Sequence, residues 1–481
     1  MSRCDAFLSR EKTEDILSKI RRIHFVGALG AGMLPLAKLC RSLGYEVSGS
    51  DARADEWSAR KLAAFSYDPS RCEAYGDADG SPFITPITPH AHGLLSGVDM
   101  LVASFAVPVD APEMTDATEQ GVPVISRAEL LGALMTRYER RVGICGSHGK
   151  STTTALVDKM LCAGGVSHTT VSGATLFDGR DARIEPSSTF VYEACEYRDA
   201  FLRFHPTLQI VTSIELDHTD YFADIEAIRR SFLSAADRAT AGVILNADFV
   251  GSADFARRLT KPITTYGMAD GADYRYILDE RGRDGYRFRI LKRGLPFLSL
   301  TTPLLGEYNL ANITAAVAAA DMLGVSTDHI TRAVAEFHGI ERRMSYLGRF
   351  GKTDVFYDYA HHPTEIASAI SAVKERYDTC AVVFMPHTYS RTQSLWDEFI
   401  TAFSKSDFTI LLDIYPAREK MIDGVTSDNL ARAMGERACY ADDDGALHHL
   451  VNREYGAVVL MGAGDMSSLV DKLKRYISSK E

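Results

Sequence analysis

Residues 141–154 read RVGICGSHGKSTTT. The apolar run from Val142 to Cys145 predicts a short buried strand, Gly146 to Ser151 a tight polar loop, and the residues from Lys150 onward a helix. A strand, a glycine loop and a helix in that order make a phosphate cradle. Gly146 and Gly149 let backbone N–H groups turn inward, with Ser147, His148 and Thr152 completing the lining. Lys150 can meet the outer phosphates, the Ser151 hydroxyl suits Mg²⁺, and the helix N-terminus adds partial positive charge. Ile144 stands where the full phosphate-loop pattern has its first glycine, so a glycine turn that binds nothing is the competing reading.

Upstream, Ile23 to Val26 reads as a buried strand. It is followed by Gly27-Ala28-Leu29-Gly30-Ala31-Gly32, a helical stretch from Met33 to Leu43, and a second strand from Glu46 to the acidic Asp51. That is the layout of a nucleotide-binding βαβ unit, although Leu29 spoils the glycine fingerprint, and a plain βαβ turn reads equally well. Residues 52–98 are rich in Asp, Pro, Gly and Ser and predict a long surface loop. Strands follow at Met100–Ser104 and Val122–Ile125, then a helix from Arg127 to Tyr138.

Downstream, apolar strands at Phe190–Tyr192 and Leu208–Thr212 alternate with helices after Ile225 and Asn309. From about residue 345 the alternation resumes, with strands at Asp354–Tyr357, Ala381–Met385, Phe408–Leu412 and Val458–Leu460. Alternation of this kind implies largely parallel sheets covered on both faces. The fold class is therefore α/β with three domains: a Rossmann-like domain at 1–130, a central phosphate-loop domain at 131–340, and a second Rossmann-like domain at 341–481.

A length of 481 residues supports about three domains. Hydrophobic residues at 46% and charged residues at 24% are ordinary for a globular protein. No apolar run is long enough to span a membrane, and the charged N-terminus lacks the apolar core of a signal peptide. A net charge of −11 argues against a nucleic-acid partner. Eight scattered cysteines with no C-x-x-C pair read as reduced thiols of a cytoplasmic protein.

Polar clusters gather at strand ends. Glu193, Glu196, Asp217 and His218 flank the strands at 190–192 and 208–212, and in a parallel sheet both strand ends open at the edge that carries the phosphate loop. Together with Ser151 they could hold Mg²⁺, or they could be solvated carboxylates at helix starts. In the third segment YDYAHHPTE at 357–365 and PHTYSR at 386–391 follow strands directly. An Arg beside a His there suits a carboxylate ligand, because guanidinium binds carboxylate bidentately, or Arg391 could pair with a structural acid.

Taken together, GSHGKSTTT, EACEYRDAFL, TSIELDHTDYF, GEYNLAN, GIERRM, DYAHHPTE, PHTYSRT, DIYPARE and GAGDM resemble the Mur ligase family, in family order, from about Ile23 to about Met466. The resemblance is strongest to members that add L-alanine to UDP-N-acetylmuramate. It implies an ATP- and Mg²⁺-dependent amide ligase of peptidoglycan precursor synthesis, in which ATP phosphorylates the lactyl carboxylate and the amine attacks the acyl phosphate. A paralogue acting on another amino acid, peptide or carboxylate, or an inactive nucleotide-binding homologue, is the alternative.

Carried over position by position, Lys150 would contact the phosphates, while Ser151, Glu193 and His218 would hold Mg²⁺. Asn309 and Asn312 would face the adenine, Arg343 the phosphates, and Asp358 the ribose. The UDP-sugar would lie against Gly30, Ala31, Gly32, Asp51 and Ser104. His361, His362, His387 and Arg391 would hold the amino acid. The implied partners are small molecules, and the implied assembly is a monomer or weak dimer.

The chain departs from the family pattern at Leu29, Phe105 and Ala111 in the first domain, and at Ser213 and Tyr308 later. A leucine at 29 is expected to crowd backbone N–H groups away from a diphosphate, and Phe105 removes a hydroxyl at the same edge.

Overall fold

Residues 10–54, 87–218, 221–282, 285–417 and 419–479 are described by the computed structural model. Most of the expected loop at 52–98, namely residues 55–86, lies outside them, as do Thr219, Asp220 and Arg418 of the quoted motifs. Among the described residues no helix is long and apolar enough to cross a membrane.

Three sheets carry the fold. The first holds β1 (Arg22–Val26), β2 (Glu46–Ser50), β3 (Met100–Ala103) and β4 (Val124–Ser126) in the order β2-β1-β3-β4, all parallel. Val26 is level with Ser50 on one side and Ala103 on the other. The glycine turn, Asp51 and Ser104 therefore emerge at one edge. The helix after β4 runs from Arg127 to Leu134 and tightens into a 3-10 turn at Met135–Arg137.

The central sheet is built on β5 (Arg140–Cys145), β6 (Thr169–Val171), β7 (Ala182–Arg183), β8 (Thr189–Glu193), β9 (Leu208–Val211), β10 (Gly242–Asn246) and β11 (Ile263–Gly267), in the order β11-β10-β9-β5-β8-β6-β7. All neighbours pair parallel except β6 with β7. Val142, Ile144 and Cys145 are fully buried, which is why this β-branched run forms the middle strand.

Three more strands, β12 (Tyr274–Gly282), β13 (Gly285–Lys292) and β14 (Leu295–Thr302), extend the strand order to ten. They were not among the expected elements. Their exposure alternates, as in a sheet with one wet face. Arg293 and Gly294 at φ 50° and 79° close the β13–β14 hairpin with the two positive φ values of a type I′ turn.

The helix Lys150–Ala163 leaves the phosphate loop and is anchored part way along. Asp158, fully buried, accepts from Arg183 Nε and Nη2 at 3.0 and 3.2 Å and lies 2.9 Å from His168 Nε2. Arg183 also reaches Asp178 at 2.8 Å. The Asp158 carboxyl is held below the usual range, because His168 and Arg183 together outweigh the cost of its burial.

The third sheet holds β15 (Ser345–Phe350), β16 (Thr353–Asp358), β17 (Cys380–Phe384), β18 (Phe408–Leu411), β19 (Ala438–Tyr440) and β20 (Ala457–Met461), in the order β15-β16-β20-β17-β18-β19. Five strands are parallel, as the alternation predicts, and β15 adds an antiparallel edge. Chain contacts divide the molecule into two units. One comprises Met1–Ile277, Arg289–Leu298 and Ala311–Val334, and the other Leu278–Phe288, Ser299–Leu310 and Ala335–Glu481.

Candidate active site

The phosphate loop is shaped by its neighbours in the first unit. Gly146 sits at φ 147°, and a Cβ there would lie 1.9 Å from Thr212 Oγ1 and 2.9 Å from Ser213 N. Only glycine fits this close approach. Thr212 Oγ1 donates to His148 O at 2.5 Å. Ser147 N donates to Ser213 O, His148 N to Ser213 Oγ, and Glu215 N to Ser147 Oγ. The strand end after β9 thus holds one wall of the loop. Gly149, at φ 82°, precedes the helix, and its missing Cβ would lie 2.3 Å from Asn312 Oδ1. Internal helix bonding begins with Thr153 N donating to Gly149 O, so the N–H groups of Lys150, Ser151 and Thr152 head the helix.

Charge collects directly in front of that helix. Lys150 Nζ donates to Gly146 O at 2.5 Å, Ser147 O at 3.2 Å and Glu196 Oε1 at 3.0 Å. Burial pulls the Lys150 ammonium down, but Glu196 and Glu193 outweigh it and hold its pKa above the ordinary lysine range. Ser151 Oγ and Ser172 Oγ each donate to Glu193 Oε2 at 3.0 Å, and Gly173 N joins them at 3.2 Å.

His218, at φ 53°, turns its Nε2 toward Glu196 Oε1 at 3.7 Å and Asp217 Oδ2 at 3.9 Å, both too long for hydrogen bonds. The Tyr197 ring backs it at 4.7 Å. Glu196 is 1% exposed, and its Oε2 has no hydrogen-bond partner. Ligand atoms of Glu196, Asp217 and His218 lie within 4.8 Å of one another. An orphaned buried carboxylate oxygen beside a second acid and an imidazole fits a divalent cation, as do the oxygens of Ser151 and Glu193.

Lys150, Ser151, Glu193 and His218 therefore gather at one sheet edge, as expected. Glu196, which sequence reasoning placed in the cluster without a role, stands at its centre as the partner of Lys150. Asn312 packs against the phosphate loop, its Oδ1 3.5 Å from Thr153 Oγ1.

At the first sheet's edge the glycine turn is held from within. Leu29 is buried, and its N–H donates to Asp51 Oδ2 at 3.0 Å, while Arg53 N donates to Asp51 Oδ1 at 3.0 Å. The leucine side chain is thus turned into the protein, its N–H is spent on Asp51, and Asp51 serves the turn itself. A Cβ on Gly32 would lie 3.1 Å from the Arg127 guanidinium, which places a cation against this turn. Gly30 N donates to Gly27 O, and Ala31 lies between Gly30 and Gly32 on the same turn. Ser104 Oγ accepts from Ala106 N at 3.2 Å. Ala111 occupies the N-cap of the Pro112–Gln120 helix, where it offers no side-chain cap.

In the second unit, Asp358 ends β16 buried, its oxygens accepting from Met344 N and Ala360 N at 2.7 Å. Burial raises its pKa, with Arg343 opposing the rise. The Arg343 guanidinium lies 5.2 Å from the Tyr359 ring centre. Asn309 donates to Leu305 O at 2.7 Å. His362 caps the Pro363–Lys374 helix, forming a reciprocal box with Glu365. The His361 ring is 3.0 Å from Tyr359 O and packs 6.0 Å from the His387 ring.

His387 stacks on Tyr415 at 5.6 Å. Burial, then His361 and Arg391, lowers its pKa to about 4. His387 Nδ1 and Arg391 Nη1 are buried without partners. Thr388 between them is held at φ 68°, a costly setting for a β-branched residue. Two orphaned buried nitrogens on one strained turn suit a carboxylate ligand.

A parallel sheet whose middle strand ends in this loop, with Glu193 ending one flanking strand and Asp217 following the other, defines a phosphate-loop nucleotide-binding protein. The chain belongs to the Mur ligase family. Family models match residues 22–139 (Mur ligase family, catalytic domain), 144–320 (Mur ligase middle domain) and 342–464 (Mur ligase, glutamate ligase domain).

The chain is 36% identical to a UDP-N-acetylmuramate–L-alanine ligase of Geotalea uraniireducens, covering 95% of this chain and 99% of the relative. It is 34% identical to the enzyme of the same name in Sorangium cellulosum, covering 96% and 97%. The fold matches the crystal structure of the UDP-N-acetylmuramate–alanine ligase of Thermotoga maritima with a TM-score of 0.76, at 25% identity, covering 96% of this chain and 100% of that one.

Proposed function

We propose that the protein joins L-alanine to the lactyl carboxylate of UDP-N-acetylmuramate at the expense of ATP. In the first step a carboxylate oxygen attacks the γ-phosphorus and ADP leaves. In the second the alanine amine attacks the acyl carbon, loses a proton, and phosphate leaves. The observation that carries this reading is the Lys150–Glu196 pair at the helix head, with Glu196 Oε2 orphaned beside His218.

Lys150 is charged and desolvated, so it can stabilise negative charge on the transferred phosphoryl group. Glu193 and Ser151 present one set of oxygens for Mg²⁺, and Glu196, Asp217 and His218 present a second. When bound, Mg²⁺ supplies the charge neutralisation that lets a carboxylate approach a triphosphate. Arg391 would grip the alanine carboxylate through its orphaned nitrogen. His387, neutral at physiological pH by virtue of its lowered pKa, would add a hydrogen bond without competing for that charge.

The same reading assigns UDP-sugar binding to residues 1–130, with Gly30, Ala31, Gly32 and Ser104 along its edge. It assigns ATP to 131–340 and the amino acid to 341–481. Asn309, Asn312, Arg343 and Asp358 complete the nucleotide site in this scheme, and His361 and His362 flank the amino acid.

The test is phosphate release with ATP, Mg²⁺, UDP-N-acetylmuramate and each amino acid in turn, with the product identified by mass. Release with L-alanine and a product of the amide's mass is expected. Release only with another amino acid would make the protein a paralogue, and none with any amino acid would refute the assignment.

A further inference from the structure

A second charged feature lies beside the candidate active site, wholly within the first unit. A cavity of about 290 Å³ is lined by Phe105, Ser126, Arg198, Arg203, Tyr221 and Arg238, among others. Three arginines thus line one small space. The carboxylate that shares it, Asp199, is engaged at both oxygens, by the hydroxyls of Ser231 and Tyr221. Glu129, on the adjoining helix, is consumed in a capping box with Ser126. Among the described residues no acid lies within ion-pair distance of Arg198 or Arg238.

Arg198 is placed with effort. Arg198 and Asp199 are consecutive non-glycine residues at φ 53° and 56°, and such strain gathers where a side chain must be aimed. The guanidinium of the exposed Arg198 lies 5.8 Å from the Phe105 ring centre and 5.4 Å from that of Tyr197, and the ring faces attract it. Burial and the neighbouring Arg203 push the Arg238 pKa down. The N-terminus of the helix Arg127–Leu134 opens on the same cavity through Ser126 and Ala128 and adds its partial positive charge. The Tyr197 ring also lies 4.7 Å from the ring of His218.

We propose that this cavity is an anion subsite that takes a phosphate-class group, with Arg198 and Arg238 as its principal donors. Two planar guanidiniums at one small cavity suit the tetrahedral oxygens of a phosphate. The inference rests on the proposed function only for the source of that group. If the reading of the substrate holds, the anion is the diphosphate of the sugar nucleotide, and Arg198 and Arg238 determine specificity for it. The other source is free phosphate or pyrophosphate.

Calorimetry on the full chain, saturated beforehand with Mg²⁺ and a non-hydrolysable ATP analogue to fill the phosphate loop, separates these sources. Pyrophosphate and UDP-N-acetylmuramate are the two titrants, against wild type, Arg198→Gln, Arg238→Gln and the corresponding lysine variants. The glutamine variants should bind UDP-N-acetylmuramate at least tenfold more weakly, the lysine variants should recover part of the loss, and affinity for the ATP analogue should not change. A parallel loss for pyrophosphate assigns the subsite to any such anion. A loss confined to UDP-N-acetylmuramate assigns it to the sugar nucleotide. Glutamine variants that bind both titrants as wild type does, or a wild type that binds neither, overturn the proposal. A wild type that binds UDP-N-acetylmuramate through these arginines yet releases no phosphate with any amino acid refutes the proposed function and leaves the subsite standing.

Discussion

Replacing Lys150 by methionine isolates the pair at the heart of the site. The Lys150 and Glu196 side chains are 15% and 1% exposed and 3.0 Å apart. At an effective dielectric constant of about 20, that separation gives a gross attraction of about 5.5 kcal/mol. Much of this is offset by desolvation, so the pair as a whole contributes little net stability. Breaking it from one side is another matter. Lys150→Met leaves Glu196 buried with Oε1 stripped of its cation and Oε2 already without a partner, and should cost about 3–5 kcal/mol. Glu196→Gln keeps an acceptor for the ammonium, which also retains Gly146 O and Ser147 O, and should cost about 1–3 kcal/mol. With both charges gone, Lys150→Met/Glu196→Gln should be more stable than the sum of the single losses predicts by about 2–4 kcal/mol. Urea unfolding of the ligand-free protein at neutral pH, in all four backgrounds, measures this coupling. Single-variant losses that simply add, to within about 0.5 kcal/mol, would refute the reasoning.

Three further outcomes are expected. Gly146→Ala drives a methyl into Thr212 Oγ1; phosphate release should fall at least a hundredfold, and Gly146→Ala/Thr212→Ala should not recover it, because Ser213 N still blocks the space. Wild-type turnover in either variant would remove the steric argument. His24, buried between Ser48 and Ser50, has its pKa lowered to about 4, chiefly by burial. The unfolded chain therefore takes up a proton first as pH falls, so this group's contribution is complete above pH 6.5 and is lost toward pH 4. Wild type should lose about 2 kcal/mol between pH 6.5 and 5 from this source, and urea midpoints of His24→Asn should show that part of the acid slope missing. Arg391→Lys should raise KM for the amino acid roughly thirty- to hundredfold through loss of bidentate contact, with KM for ATP unchanged; an equal rise in both would move Arg391 out of the amino-acid site.

Much of this architecture is legible in the chain because buried parallel strands announce themselves. The runs at 23–26, 100–104, 190–192, 208–212, 381–385 and 458–460 each fall on an observed strand to within a residue or two. The β12–β14 meander is not among the expected strands although its alternation is clear in GYRFRILK, because the strand–helix alternation of the rest of the chain implies parallel sheets. Lys150, Ser151 and Glu193 were legible from the loop pattern and the strand end. The partnership of Lys150 with Glu196 was not, since EACE presents two acids and only the fold decides which one faces the ammonium. Asp51 and His362 show the reverse. Their types suit ligands, yet their hydrogen bonds hold a turn and a helix start, a competition that local sequence does not expose.

The Asp158 anchor has a consequence for how the nucleotide is received. Asp158 lies eight residues beyond Lys150 on the same helix, about 12 Å along its axis, where Arg183 and His168 clamp it. The helix can neither slide nor rotate without breaking a desolvated ionic network, so its N–H groups are aimed before any nucleotide arrives, and their ordering entropy is lost at folding rather than on association. A substitution at Asp158 touches no phosphate, yet it would blur the aim of those groups. Nucleotide affinity should therefore be sensitive at a remote, buried position where an inspection of ligand contacts alone would find nothing to test.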